Sequence, residues 1–497
     1  MVDRGQIHCS TAHNTTNRIR LSRKSRAKTN MGWPILILAI LATVAHGQQQ
    51  ETCLSVEEHP YFLFATKTAY VFATQSSPTT KLQDVPGCEP IAFWLLSRHG
   101  SHNPETEEIS LQNLMDLKRT IATNWKNNQR FICPSDFNLL NSWEWNNATR
   151  PGDLTTEGYM TTERLAQSWK QKYPGLLDGN RLNYLFKYAD DERSVNTFRA
   201  FTEGLFGAQA ESYDIPREHD EQTLRPYKFC KAWLKDVEQN NETLTQKAIF
   251  ESKREYLEMI TNISKRLGSQ YNYEEQFIQN MYDMCRYEKA KDVSKISPWC
   301  AAFTRQDLQR LEYAEDLETY YKYGYGTEIN QKIGCTHLKD MMEFFKKHSE
   351  NDTPQQPRAV IQLTEAPTLM MVMAAMGIRK DQVPLTGDNY HTNSVQARKW
   401  STSSMVPFTG NIAAVLYKCT PNGNFQVKEQ YQVLFMENEK PMYIEECRVG
   451  LCAWSQVKAK YEELINQCDL SICNAATKLN SLFGYSLAVV MIAVRYF

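Results

Sequence analysis

Arg98, His99 and Gly100 stand in a row directly after an apolar run, Pro90 to Ser97, with Pro104 close behind. Each residue type has a use when an anion approaches. A guanidinium offers a two-pronged hydrogen-bond donor to phosphate. An imidazole can attack phosphorus or move a proton, and a glycine lets the backbone come close. Taken alone, Arg-His-Gly also fits an ordinary surface turn. The chemistry depends on what positions these side chains.

The run 90–97 lies between Gly87 and Gly100, the pattern of a short buried strand. Leu111, Leu114, Met115, Leu117, Ile121 and Trp125 then keep helical spacing. Ala359 to Leu363 predicts a second buried strand, followed by a Met-rich helix through Met376 that stops at Gly377. Ile412 to Tyr417 predicts a third strand. Strand-then-helix units of this kind imply an α/β core, and ligands of open α/β sheets sit beyond the carboxyl ends of the strands. Residues 98–100 occupy such an end. The stretch from about 205 to 350 is different, rich in Glu, Lys, Gln, Tyr and Leu. Its spacing of Tyr256, Met259, Ile260 and Ile263 predicts a mostly α-helical insertion.

Composition narrows the function classes. The chain has 497 residues, 42% hydrophobic and 23% charged, which excludes collagen, extended disorder and a polytopic membrane protein. Its net charge of −1 hides a basic leader, because residues 48–497 alone carry −7. An acidic body excludes nucleic acid as a partner, since phosphate backbones need clustered Lys and Arg. An anionic ligand must therefore meet a local basic pocket.

Both ends carry targeting patterns. Pro34 to Ala45 is an apolar run preceded by basic residues, short for a membrane span, and it reads as a signal peptide ending near Gly47. An uncleaved signal anchor is the other reading, and Met31 offers an alternative start. Of 13 cysteines only Cys9 precedes the cleavage point, leaving an even number for disulfides in an oxidising compartment. Cys447/Cys452 and Cys468/Cys473 share one spacing and predict a stapled C-terminal segment. No spacing resembles a zinc site. Asn147, Asn241, Asn262 and Asn351 head glycosylation sequons. Asn474-Ala475-Ala476, a short polar spacer and the apolar stretch Leu482 to Val494 resemble a glycolipid-anchor signal with attachment at Asn474. A short tail anchor or a buried terminal helix are the alternatives. The expected location is the secretory pathway and then the extracellular face of the plasma membrane, or outside the cell.

Residues 98–104 resemble the histidine acid phosphatase signature Arg-His-Gly-x-Arg-x-Pro. Ser297-Pro298-Trp299-Cys300-Ala301-Ala302-Phe303, the run from Glu315 to Gly326, and Pro384-Leu385-Thr386-Gly387-Asp388-Asn389-Tyr390 are similar to the multiple inositol polyphosphate phosphatase branch of that family. The resemblance spans most of residues 52–470. It implies a histidine-phosphatase α/β core in two segments, 52–204 and 355–473, with a helical cap at 205–354. Residues 1–47 and 474–497 are then the leader and the anchor signal. It also implies phosphomonoester hydrolysis, including inositol polyphosphates such as phytate, without metal or organic cofactor. By resemblance His99 is the nucleophile that becomes phosphohistidine, and Arg98 and Arg193, the latter in Asp191-Glu192-Arg193-Ser194-Val195-Asn196-Thr197-Phe198-Arg199, hold phosphate oxygens; the other reading of Arg193 is a solvent-facing charge at a helix start.

Two departures alter that expectation. Where the family has a second motif arginine this chain has His102, an imidazole largely neutral at pH 7. Where the branch has His-Ala-Glu-Thr this chain reads Glu365-Ala366-Pro367-Thr368. The phosphate-binding His becomes an anion, and the proton donor becomes Pro367, which has no proton to give. General acid catalysis typically supplies about 10²–10⁴-fold, so catalysis is expected to be weakened or lost. If residues 365–367 are extended, both side chains face one way, and a protonated Glu365 becomes a substitute acid. Three classes follow: a phosphatase using Glu365, a pseudoenzyme that still binds anions, and a surface glycoprotein making protein contacts.

Overall fold

The computed structural model describes residues 53–474 except 57–59, 75–84, 146–149, 352–354, 421–428 and 448–449. The leader, Cys9, Met31, Asn147 and the tail after Asn474 lie outside the described residues. One mixed sheet organises the rest. Its strands are β1 (Cys88–Arg98), β2 (Tyr184–Tyr188), β3 (Arg217–Glu218), β4 (Ala359–Thr364), β5 (Asn411–Cys419), β6 (Tyr431–Glu437), β7 (Lys440–Pro441) and β8 (Leu451–Ala453). Their order is β3-β2-β4-β1-β5-β6-β7, with β8 also on β6. β3, β2, β4 and β1 pair parallel, and the β1–β5 and later pairings are antiparallel.

Burial on both faces explains why the central strands read as unbroken apolar runs. Ala92, Trp94 and Leu96 of β1 join one core with Val360, Ile412 and Ala414. Phe93 and Leu95 join the other with Ala359, Ile361, Ala413 and Val415. The first core includes Leu338, Met341 and Phe345 of helix Ile329–Glu350 and the Met-rich helix Ala366–Met376. The second includes Leu165, Trp169, Phe198 and Phe201 of helices Thr156–Lys172 and Glu192–Phe206. Helices therefore cover both faces, and the fold is the expected α/β core with a helical portion. Gly377 ends the Met-rich helix in the left-handed region at φ 73°, where a glycine escapes the Cβ penalty.

The 205–354 segment does more than form a cap. β3 lies within it and pairs with β2, and its last helix, Ile329–Glu350, packs against the sheet. Asp340 on that helix accepts from Trp94 of β1 (3.2 Å) and Gln362 of β4 (2.6 Å), and pairs with Lys187 of β2. The helices Arg254–Arg266, Glu275–Lys291 and Arg305–Tyr323 form the body of the insertion. Tyr256, Met259, Ile260 and Ile263 are buried, as their spacing predicts. The Pro384–Tyr390 loop docks onto it, its carbonyls at Thr386 and Leu385 accepting from Tyr313 and Tyr321 (both 2.8 Å).

All the cysteines from Cys53 onward form disulfides: Cys53–Cys133, Cys88–Cys419, Cys230–Cys473, Cys285–Cys300, Cys335–Cys468 and Cys447–Cys452. Only half of the expected C-terminal staple is right. Cys447 pairs with Cys452, but Cys468 and Cys473 reach back to Cys335 and Cys230. Equal spacing was a misleading cue, because the segment after helix Trp454–Asn466 runs against the 230 and 335 regions. Cys53, Cys133 and Asp136 come within ligating distance of one another, but both sulfurs are spent in a disulfide. Among the described residues no helix is long and apolar enough to cross a membrane. Asn241, Asn262, Asn351 and Asn474 are exposed.

Candidate active site

Strand register brings the sequence candidates together. Arg98 pairs with Thr364 across β1 and β4, and the His99 N–H donates to the Thr364 carbonyl at 3.0 Å. Glu365, the next residue, therefore lies beside His99. On the other flank of β4, β2 leads into helix Glu192–Phe206, capped by Asp191, whose second residue is Arg193. Three neighbouring parallel strands thus deliver Arg98–His99, Glu365 and Arg193 to their carboxyl ends, where an open α/β sheet binds ligands. All four residues, with His102 and Pro367, line one cavity of about 410 Å³. Arg193 lines this cavity with its side chain 16% exposed.

The loop after β1 is held by close backbone packing. A Cβ at Gly100 would lie 2.4 Å from the Gly158 carbonyl oxygen, and one at Gly158 would lie 2.2 Å from that of Ser101. Helix Thr156–Lys172 thereby presses its first turn against residues 100–101, and Thr155 N–H donates to Ser101 O at 2.8 Å. Gly100→Ala and Gly158→Ala are each expected to destabilise the fold by about 1–3 kcal/mol, the usual effect of overpacking, and to displace His99. Chemical denaturation of each variant measures this. On the opposite side Thr409 donates its N–H to the His99 carbonyl (2.9 Å) from φ 63°, a strained setting for a β-branched residue.

His99 is in the state a phosphorus nucleophile requires. Its Nδ1 lies 2.9 Å from the Gly100 carbonyl, which can only accept, so Nδ1 carries the proton and Nε2 keeps its lone pair. Burial, then the Arg193 and Arg98 guanidinium groups, hold the imidazole neutral well below its ordinary range. Arg98 is fixed by the Thr66 and Val406 carbonyls and stacks on Phe408, 4.4 Å from its ring centre.

His102 is a poor substitute for an arginine. Its Nδ1 donates to the Asn103 carbonyl at 2.7 Å, and its ring sits 5.1 Å from His99, near Tyr287 and Phe408. Burial and the nearby Arg193 keep it neutral. Its remaining nitrogen therefore presents a lone pair, which repels a phosphate oxygen.

Residues 365–367 are not one extended segment, so the condition for Glu365 as a substitute acid is not met. Glu365 is the N-cap of helix Ala366–Met376, and Pro367 sits in the first turn. Helical residues two apart point to different sides, so the same-face argument for Glu365 fails. The carboxylate lies 3.2 Å from Arg225 Nε, 3.2 Å from Lys228 Nζ and 4.0 Å from Arg193, and accepts from the Tyr227 hydroxyl. Burial opposes its charge, but Arg225 and Lys228 outweigh that and hold it below the usual carboxylate range. An acid that has already lost its proton cannot donate one.

Sequence reasoning missed most of the surrounding charge. Arg193 also donates to Glu105 (2.9 Å), Lys67 pairs with Glu108 (3.4 Å), and Arg286 is held by Asp283 and Glu315. Lys67, Arg286 and their acidic partners line the cavity with Glu318, so its lining carries more carboxylates than cations. Burial works against ionised Glu315, yet Arg286 and Lys67 bring it from 4.5 to about 2. The stability from this pair is present above pH 4.5 and is lost as pH falls toward 2. Wild type should exceed Glu315→Gln by on the order of 2–3 kcal/mol at neutral pH, with the gap closing through that window in urea titrations.

Comparison with known proteins settles the lineage. Residues 93–435 match the profile of the histidine phosphatase superfamily (branch 2). The chain belongs to that superfamily. Multiple inositol polyphosphate phosphatase 1 of Drosophila melanogaster is 32% identical over 476 residues, covering 93% of this chain and 98% of that protein. Among solved structures, the D. castellii phytase aligns with a TM-score of 0.63 at 17% identity, over 82% of this chain and 87% of that one. The Bifidobacterium longum multiple inositol polyphosphate phosphatase, in complex with inositol hexasulfate, aligns at 0.57 and 14%, over 80% and 96%. These structural likenesses speak to the fold. In this member of the superfamily the Arg225–Lys228 segment is anchored by Thr364 and Thr368, whose hydroxyls both donate to the Leu224 carbonyl (2.5 and 2.7 Å). Nothing local in Leu224-Arg225-Pro226-Tyr227-Lys228 marks it as part of a site.

Proposed function

We propose that this chain is an exported, glycosylated inositol polyphosphate phosphatase-like protein whose phosphomonoester hydrolysis is strongly weakened. In the family reaction, the Nε2 lone pair of His99 would attack phosphorus, the P–O bond to the alcohol would break, and the leaving oxygen would take a proton. Water would then split the N–P bond and release phosphate. Arg98 and Arg193 would hold the phosphoryl oxygens through both steps.

The observation that carries the reading is the end of β4, beside the neutral His99. Position 365 holds an ionised carboxylate and position 367 a proline, so neither supplies the proton the alkoxide needs. Arg193 is drawn to Glu105 and Glu365, which compete with an incoming phosphate. The substrate class is taken from relatives named for inositol polyphosphates. Export is supported by the disulfides and by the exposed Asn241, Asn262 and Asn351, and the sequence pattern at Asn474 supports a lipid anchor on the outer cell surface.

Phosphate release from phytate by the secreted ectodomain, followed from pH 3 to 8 with a His99→Ala control, tests it. The expected result is a slow release that depends on His99. A rapid release at acidic pH that Glu365→Gln abolishes would overturn it.

A further inference from the structure

Glu365 touches more cationic groups than its place at a helix start requires. It makes no side-chain bond to the first-turn N–H groups of helix Ala366–Met376 that a capping residue would serve. Its carboxylate turns instead to Arg193, Arg225, Lys228 and the Tyr227 hydroxyl, groups drawn from two separate segments of the chain. The other acids of this group hold different atoms: Glu105 takes Nη1 of Arg193, and Asp191 and Glu221 take the terminal nitrogens of Arg225. The side facing Glu365 therefore holds Lys228 Nζ and the Tyr227 hydroxyl, which donate to it, and the Arg225 guanidinium as an ion pair at 3.2 Å, while Arg193, 4.0 Å away, is left to the reacting phosphate. The positive end of helix Ala366–Met376 lies beside them.

We propose that these groups form an anion subsite for a second phosphate of a polyphosphorylated substrate, and that Glu365 fills it with the chain's own carboxylate. This rests on reading the pocket as a phosphomonoester site. A phosphate offers three oxygens and more charge than a carboxylate, so it suits two cations and a hydroxyl better. The subsite adjoins the reaction centre, since Glu365 follows the residue whose carbonyl accepts from the His99 N–H. Lys228, at 46% exposure, marks its open side, and Glu365, at 13%, separates it from the cavity. The wild-type pocket thus leaves a place for one phosphate only and disfavours a ligand with adjacent phosphates.

Binding in a His99→Ala background, free of turnover, tests the proposal. Calorimetry at fixed ionic strength would compare inorganic phosphate, an inositol monophosphate and phytate. Glu365→Ala should tighten phytate on the order of tenfold or more and the two monophosphate ligands much less, because only phytate spans both positions. Glu365→Gln, which keeps the side-chain shape, should give a smaller gain in the same order. Adding Arg225→Ala and Lys228→Ala should remove the gain, with circular dichroism and Tm confirming a folded chain. Phosphate binding without a phytate-specific gain, or a gain that survives loss of Arg225 and Lys228, would overturn the subsite alone. No phosphate binding in any variant would overturn both the subsite and the phosphomonoester reading of the pocket.

Discussion

The variant His102→Arg, Glu365→His, Pro367→Glu should release phosphate from phytate at least about 10²–10⁴-fold faster than wild type, the span a positioned general acid typically supplies. Each change corrects a separate defect at one bound group. Arginine at 102 returns a permanent two-pronged donor where a neutral imidazole now shows a lone pair. Histidine at 365 removes an anion that engages Arg193 and Arg225. Glutamate at 367 places a carboxyl on the cavity lining in the first turn of helix Ala366–Met376, a position that tolerates an acidic residue. Because all three act on the same phosphoryl transfer, the triple variant should gain more than the single variants suggest. His99→Ala in this background should return the rate to baseline. A repaired pocket that folds but gains nothing would place the defect elsewhere.

Removing the Cys88–Cys419 disulfide should cost about 2–5 kcal/mol of stability while leaving the pocket's chemistry alone. It joins β1 and β5 in register at the end of β1 opposite Arg98, and its closed loop spans 331 residues. Cross-links that close long loops restrict the unfolded chain most. Denaturation of the Cys88→Ser, Cys419→Ser variant should show the loss. Turnover of an aryl phosphate by the folded fraction should match wild type. A fall in turnover without a fall in stability would contradict the separation of the two ends of the sheet.

The sequence was most informative where one physical cause acts locally. β1, β4 and β5 were legible because strands buried on both faces must be apolar throughout, and Gly377 was legible because a left-handed helix end favours glycine. β2 was not, since its burial alternates and it is only 5 residues long. The motif residues converged as the resemblance implies, because three parallel strands end together. Pro367 carried a local cue against an extended 365–367 segment, since proline is favoured in the first turn of a helix. Arg225, Tyr227 and Lys228 carried no cue at all. Tyr227 is 138 positions from Glu365 in sequence, and tertiary docking, including that of the Leu224 carbonyl on Thr364 and Thr368, brings them together. The charge balance of the cavity was illegible for the same reason: Lys67, Arg286 and Glu315 come from different parts of the chain.

The claim at the centre of this account is that the pocket keeps a competent nucleophile and lacks a donor for the leaving oxygen. Leaving-group dependence tests it most directly. Purified wild-type ectodomain would be given a series of phosphomonoesters, from nitrophenyl phosphates, whose phenolates leave without protonation, to alkyl and inositol phosphates, whose alkoxides do not. kcat/KM should fall steeply as the leaving group becomes more basic, and His99→Ala should abolish turnover of the best substrate. The slope should flatten once Pro367→Glu is introduced with the other two repairs. A shallow dependence in the wild type, with alkyl and aryl esters cleaved at similar rates, would show that a proton donor is already in place.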